Sequence, residues 1–161
     1  MTEIAADADR TLNPLRGSGL NVAVVWAGTN DLAGHHETPQ QIFSVLRQFS
    51  RNERRLGFKI FVMTMISRVE DDQDKNPYNA MIRAFCSDFA DGLIDVAANP
   101  ALGANGAYKN PEYFQDGIHL TDKGYALVGS IVQATIEQSA SGFEAYPKPD
   151  RQLYAQSPIA R

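Results

Sequence analysis

The chain reads as an α/β protein built on a parallel sheet. Three observations carry this: short apolar segments alternate with amphipathic ones, the apolar segments are rich in β-branched residues, and glycine or proline punctuates the joins. The order is strand, helix, strand, helix, strand, helix, which predicts right-handed crossovers. In such sheets, chemistry gathers beyond the carboxyl ends of the strands.

The elements follow in order. Residues 1–20 are mixed, broken near their end by Pro14, Gly17 and Gly19. Asn21 to Ala27 is a nearly continuous apolar run ended by Gly28, the pattern of a strand covered on both faces. Thr38 is a good N-cap and Pro39 suits the first helical position. Ile42, Phe43, Leu46 and Phe49 then recur at helical spacing, and Gly57 supplies the stop. Phe58 to Ile66 reads as a second strand and the polar, acidic stretch Ser67 to Pro77 as a loop. Pro77 opens a helix with Met81, Ile82, Phe85 and Phe89 on one face, closed by Gly92. Leu93 to Val96 is a third short strand. Ala97 to Leu120, rich in Asn, Pro and Gly, reads as a long loop, and loops of that length in a compact domain are usually functional or disordered. Thr121 caps a last helix that buries Tyr125, Val128, Val132 and Ile136. Residues 1–140 form one domain, followed by a polar, proline-bearing surface tail over 141–161.

Composition bounds the function. The 161 residues suit one domain, and 43% hydrophobic content supports a core. The net charge is -4, and the densest basic cluster, Arg51, Arg54 and Arg55, is a solvated helix end, so no nucleic-acid partner is expected. No run approaches the roughly 18 apolar residues of a membrane span. The start lacks the basic-then-apolar order of a signal peptide, which leaves the compartment undefined, since an N-terminal part of the domain is expected to be missing. Cys86, the single cysteine, reads as a buried inert thiol.

Two segments carry chemistry. Gly28-Thr29-Asn30-Asp31 follows the first strand, and the glycine permits a sharp exit. The Asn30 amide at the sheet rim suits an oxyanion; the bland alternative is an ordinary turn. Asp116-Gly117-Ile118-His119 leads into the last helix. A carboxylate three residues before an imidazole can bond its Nδ1–H and leave Nε2 as a base; the alternative is a solvated surface histidine. Trp26 and Tyr125 could stack on a sugar, but core packing and helix docking are the simpler readings.

Together, Val24-Val25-Trp26-Ala27-Gly28-Thr29-Asn30-Asp31 resembles the Gly-x-Asn-Asp block of the SGNH (GDSL-like) hydrolases. Asp116-Gly117-Ile118-His119-Leu120-Thr121, with Gly124-Tyr125 following, resembles their Asp-x-x-His block. The resemblance covers about residues 20 to 140. It implies a three-layer α/β/α flavodoxin-like sandwich that hydrolyses carboxylic esters, often acetylated sugars or lipid-like esters, with no metal or organic cofactor. By resemblance Asn30 is an oxyanion donor, His119 the general base and Asp116 its orienting carboxylate, with Gly28 and Asp31 supporting the turn.

The family's Gly-Asp-Ser block, which supplies the nucleophile, has no counterpart, so the domain is expected to be incomplete at its N-terminus. Ser18 lies before the first strand, on the order of 20 Å from Asn30 at about 3.3 Å per strand residue. Ser67 lies at the correct edge but lacks a tight glycine-flanked turn. The absent first strand would leave an apolar edge open to self-association. Two rival readings stand beside the esterase: a non-catalytic remnant that binds a ligand or partner at the same rim, and a metal hydrolase built on Asp31, His35, His36 and His119, whose spacing matches no standard zinc pattern.

Overall fold

The computed structural model describes residues 1–70 and 72–140, so the tail expected over 141–161 lies outside the described residues. Three parallel strands, β1 (Asn21–Val25), β2 (Phe58–Met63) and β3 (Gly92–Ile94), pair in that spatial order. Val25 faces Val62 across the first pair and Met63 faces Ile94 across the second. The helices are α1 (Thr2–Thr11), α2 (Thr29–His35), α3 (Pro39–Arg55), α4 (Asp72–Phe85), α5 (Pro100–Gly103) and α6 (Asp122–Ala140).

Alternation along β2 separates two cores. Ile60 and Val62 point toward α1, α3 and α4, meeting Ile42, Leu46, Phe49, Tyr78 and Ile82. Phe61 and Met63 point the other way, toward Ile94, Leu102, Phe114, Leu120 and Val128. The result is the expected α/β/α layering.

Local chemistry explains the boundaries. Thr38 caps α3 with a capping box, exchanging bonds with Gln41, before Pro39 at the first turn. Gly57 takes the left-handed conformation that ends the helix, at φ 96°. Asn99 caps α5 through Ala101 N–H.

Several expectations need correction. Residues 2–11 form a helix, docked through Ala5, Ala8 and Leu12; small alanines gave it little apolar contrast. α4 begins at Asp72, not Pro77, and its buried face includes Lys75 and Asn79, which broke the apolar stripe. Phe85 is exposed, because Phe89 beyond the helix takes the core place. The 97–120 stretch holds α5 and turns pinned by long-range bonds. β1 is covered on one face only: Val25 is buried, whereas Val22 and Val24 are open, and among the described residues no strand pairs with its outer edge. Tyr125 and Trp26, read as packed, are 52% and 38% exposed.

Candidate functional site

The carboxyl edge of β1 and β2 meets the loop before α6 around a cavity of about 260 Å³. Asn30, Arg68 and His119 supply its polar wall, and Trp26, Ile118 and Tyr125 its exposed apolar one.

Gly28 makes the first arm. Its φ of 112° is left-handed, and a Cβ there would lie 2.2 Å from Met65 Cε and 3.1 Å from Ile42 Cγ2. Only glycine satisfies both constraints without strain. The chain turns at once into α2, leaving Asn30 exposed on the rim. Asn30 Oδ1 accepts from Arg68 Nη1 at 3.3 Å, and its Nδ2 donates to no protein acceptor among the described residues. Asp31 points inward: it is buried, and its carboxylate pairs with the Met1 ammonium.

The second arm is the turn at Asp116. Phe114 and Leu120, both buried, bridge as neighbouring extended residues, and Gln115 N–H bonds the His119 carbonyl at 2.8 Å. Gly117, at φ 80°, reverses the chain between them, and its carbonyl accepts from Val69 N–H at 3.0 Å. That bond ties the turn to the segment after β2. Asp116 Oδ1 accepts the N–H groups of Ile118 (2.9 Å) and His119 (2.7 Å), while Oδ2 lies 2.8 Å from His119 Nδ1. These bonds, the His119 ring first, hold the Asp116 carboxyl well below the usual carboxylate range. An ionised Asp116 accepts Nδ1–H, which leaves Nε2 unprotonated and available as a base in the neutral ring.

A buried network braces the floor. Ser67 Oγ donates to Asp72 Oδ2 at 3.0 Å and accepts from Tyr108 N–H at 3.3 Å. Asp72 also accepts from Gly106 N–H at 2.6 Å, and Lys75 Nζ donates to the Gly103 carbonyl at 2.8 Å. Burial lowers the Lys75 ammonium below the ordinary lysine value, against the pull of Asp72. Ser67 lines the cavity, yet its hydroxyl is committed to this network and the residue is wholly buried. Ser18 is exposed before β1, at the opposite end of the strand.

His35 and His36 end α2 and do not line the cavity. Among the described residues, no three His, Cys, Asp or Glu side chains are grouped to hold a metal ion, so the set Asp31, His35, His36 and His119 does not converge. No described helix is long and apolar enough to cross a membrane. Sequence reasoning missed Arg68. Its signal was available: a lone basic residue just past the end of a strand, on the rim where parallel sheets do chemistry.

The fold is shared with solved hydrolases. A GDSL-like lipase from Bacteroides thetaiotaomicron superimposes with a TM-score of 0.73 at 18% identity, over 86% of this chain and 71% of that one. A carbohydrate esterase family 3 protein from Talaromyces cellulolyticus gives 0.63 at 18% identity, over 83% and 66%. Among curated proteins none matches the chain. The sequence profile of the GDSL-like lipase/acylhydrolase family matches residues 2–127, and the chain belongs to that family.

Proposed function

We propose that this chain supplies the base and oxyanion arms of a carboxylic ester hydrolase, with the nucleophilic serine contributed from outside the chain. The observation that supports it is the meeting of Asn30 and His119, almost ninety residues apart in sequence, around one cavity with Asp116 on the far imidazole nitrogen. The serine hydroxyl attacks the ester carbonyl as His119 Nε2 takes its proton. Asp116 steadies the imidazolium, and Asn30 Nδ2 donates to the oxyanion. Collapse of the adduct expels the alcohol, which takes the proton from His119. Water then enters by the same route, and the acid leaves.

The substrate class is a small ester such as an acetylated sugar or a lipid-like ester. The Trp26 and Tyr125 rings on the cavity wall suit a sugar face, in keeping with the carbohydrate esterase among the structural neighbours. In protein carrying a Gly-Asp-Ser segment, His119→Ala is expected to lower kcat on an aryl acetate by several orders of magnitude, on the order of 10⁴ or more. An unchanged rate refutes the reading. A second reading, a non-catalytic remnant that binds at the same rim, is favoured by the buried, committed hydroxyl of the cavity's one serine, Ser67. Aryl acetate hydrolysis that depends on His119 excludes it.

A further inference from the structure

Asn30 is useful as an oxyanion donor only if its amide nitrogen, not its oxygen, faces the cavity. Both orientations have the same shape, so something must choose between them. The side chain that touches the amide is Arg68, whose Nη1 lies 3.3 Å from Oδ1. A guanidinium carries five donors and no acceptor, so the atom it holds must be the oxygen. Nδ2 is then turned away from Arg68.

Arg68 is itself fixed. Its Nη1 also donates to the Thr29 carbonyl at 3.2 Å and to Thr29 Oγ1 at 3.1 Å. Its own N–H bonds Asp72 Oδ1 at 3.4 Å, which links it to the buried Ser67–Asp72 network. Arg68 therefore staples the rim of β2 to the turn after β1. A cation on Oδ1 also draws electron density from the amide, strengthening the C–N double-bond character and the donor power of Nδ2–H.

We propose that Arg68 is a positioning residue that locks the Asn30 carboxamide with its N–H group toward the cavity. The claim about orientation stands on geometry; its catalytic meaning rests on the reading of Asn30 as the oxyanion donor.

Two measurements on the chain test it. The first is rotation of the Asn30 carboxamide about Cβ–Cγ, the bond that exchanges its oxygen and nitrogen, read by NMR from residual dipolar couplings of the two Nδ2–H bonds. Arg68→Met is expected to average those couplings toward zero, because the contact that holds Oδ1 is lost. Arg68→Lys, which keeps charge but not the planar fork, is expected to do the same. The second is titration with dimethylphosphinate, a tetrahedral anion shaped like an acetate-ester adduct. Arg68→Met is expected to weaken binding about tenfold, and the double variant with Asn30→Ala should bind no worse than Asn30→Ala alone. Couplings unchanged in both Arg68 variants overturn the proposal. Additive losses in the double variant also overturn it, since they mean that Arg68 holds the anion directly. Phosphinate binding that is absent, or insensitive to Asn30→Ala, instead sinks the oxyanion reading, and the couplings still decide whether Arg68 fixes the carboxamide.

Discussion

Replacing Gly28 by alanine perturbs the hinge on which the Asn30 arm turns, and the cost can be built from the structure. At φ 112° an L-residue is in a disfavoured region, a penalty of ~1–2 kcal/mol. The new methyl would sit 2.2 Å from Met65 Cε, 3.1 Å from Ile42 Cγ2 and 3.3 Å from Tyr78 Cζ. The methionine tip can swing aside, but Ile42 and Tyr78 are wholly buried and have little room. Overpacking of this kind costs ~1–3 kcal/mol. The stiffer unfolded chain returns ~0.4–1 kcal/mol. The net loss is about 1–4.5 kcal/mol, or roughly 2–18 °C in Tm for a domain of this size. Gly34→Ala is the matched control. It lies inside α2 with open space around its Cβ, and should gain ~0.5–1 kcal/mol. Urea unfolding of both variants, followed by circular dichroism, supplies the comparison. Gly28→Ala as stable as the parent, or indistinguishable from Gly34→Ala, would refute the steric argument.

Other predictions follow from single features. The Asp116 carboxyl, held below the ordinary value near 3.9, contributes stability that is present above that value and is lost only as pH falls through its lower folded one; its Cγ resonance should still report a carboxylate at pH 3.5. Burial pushes the Cys86 thiol up to about 11, so at pH 8 it should resist an aromatic disulfide reagent until urea is added. Lys75→Met removes the donor to the Gly103 carbonyl and should cost about 1–3 kcal/mol in urea unfolding. The depressed Lys75 ammonium means that the unfolded chain binds more protons just below the ordinary lysine value, so stability attributable to Lys75 rises with pH there; the parent's stability relative to Lys75→Met should rise across that window. Self-association through the open edge of β1, expected from sequence, should appear as concentration-dependent sedimentation that Val24→Lys suppresses.

The legible parts were those in which local rules and tertiary demands agree. The α3 stripe, its Thr38 box and the Gly57 stop are written in neighbouring residues, and β2 is apolar because both its faces are covered. Both chemical segments were visible because glycine, amide, carboxylate and imidazole are fixed within a few positions. What stayed hidden depends on distant partners. The start of α4 was obscured by Lys75 and Asn79, polar residues buried because the Gly103 carbonyl accepts from Lys75 and the Met65 backbone both donates to and accepts from Asn79. Trp26 and Tyr125 have core chemistry, and only the arrangement of β1 and α6 around the cavity exposes them. Arg68 stands just past a strand end, a position readable locally, but its partners Thr29 and Asn30 lie far along the chain, and only the fold shows that it meets them.

The two arms differ in what they need from the rest of the molecule. The Asp116–His119 unit is closed within four residues: one carboxylate binds two N–H groups of its own turn and the ring at its end. Such a unit is portable. Insertions on either side can reshape the mouth of the cavity without retuning the imidazole, so under the proposed reading the ligands that enter can change while the base stays constant. The amide arm has no such independence, because it leans on a glycine, a strand end and a guanidinium drawn from another loop. Diversification should therefore be permissive around the histidine and conservative around the asparagine.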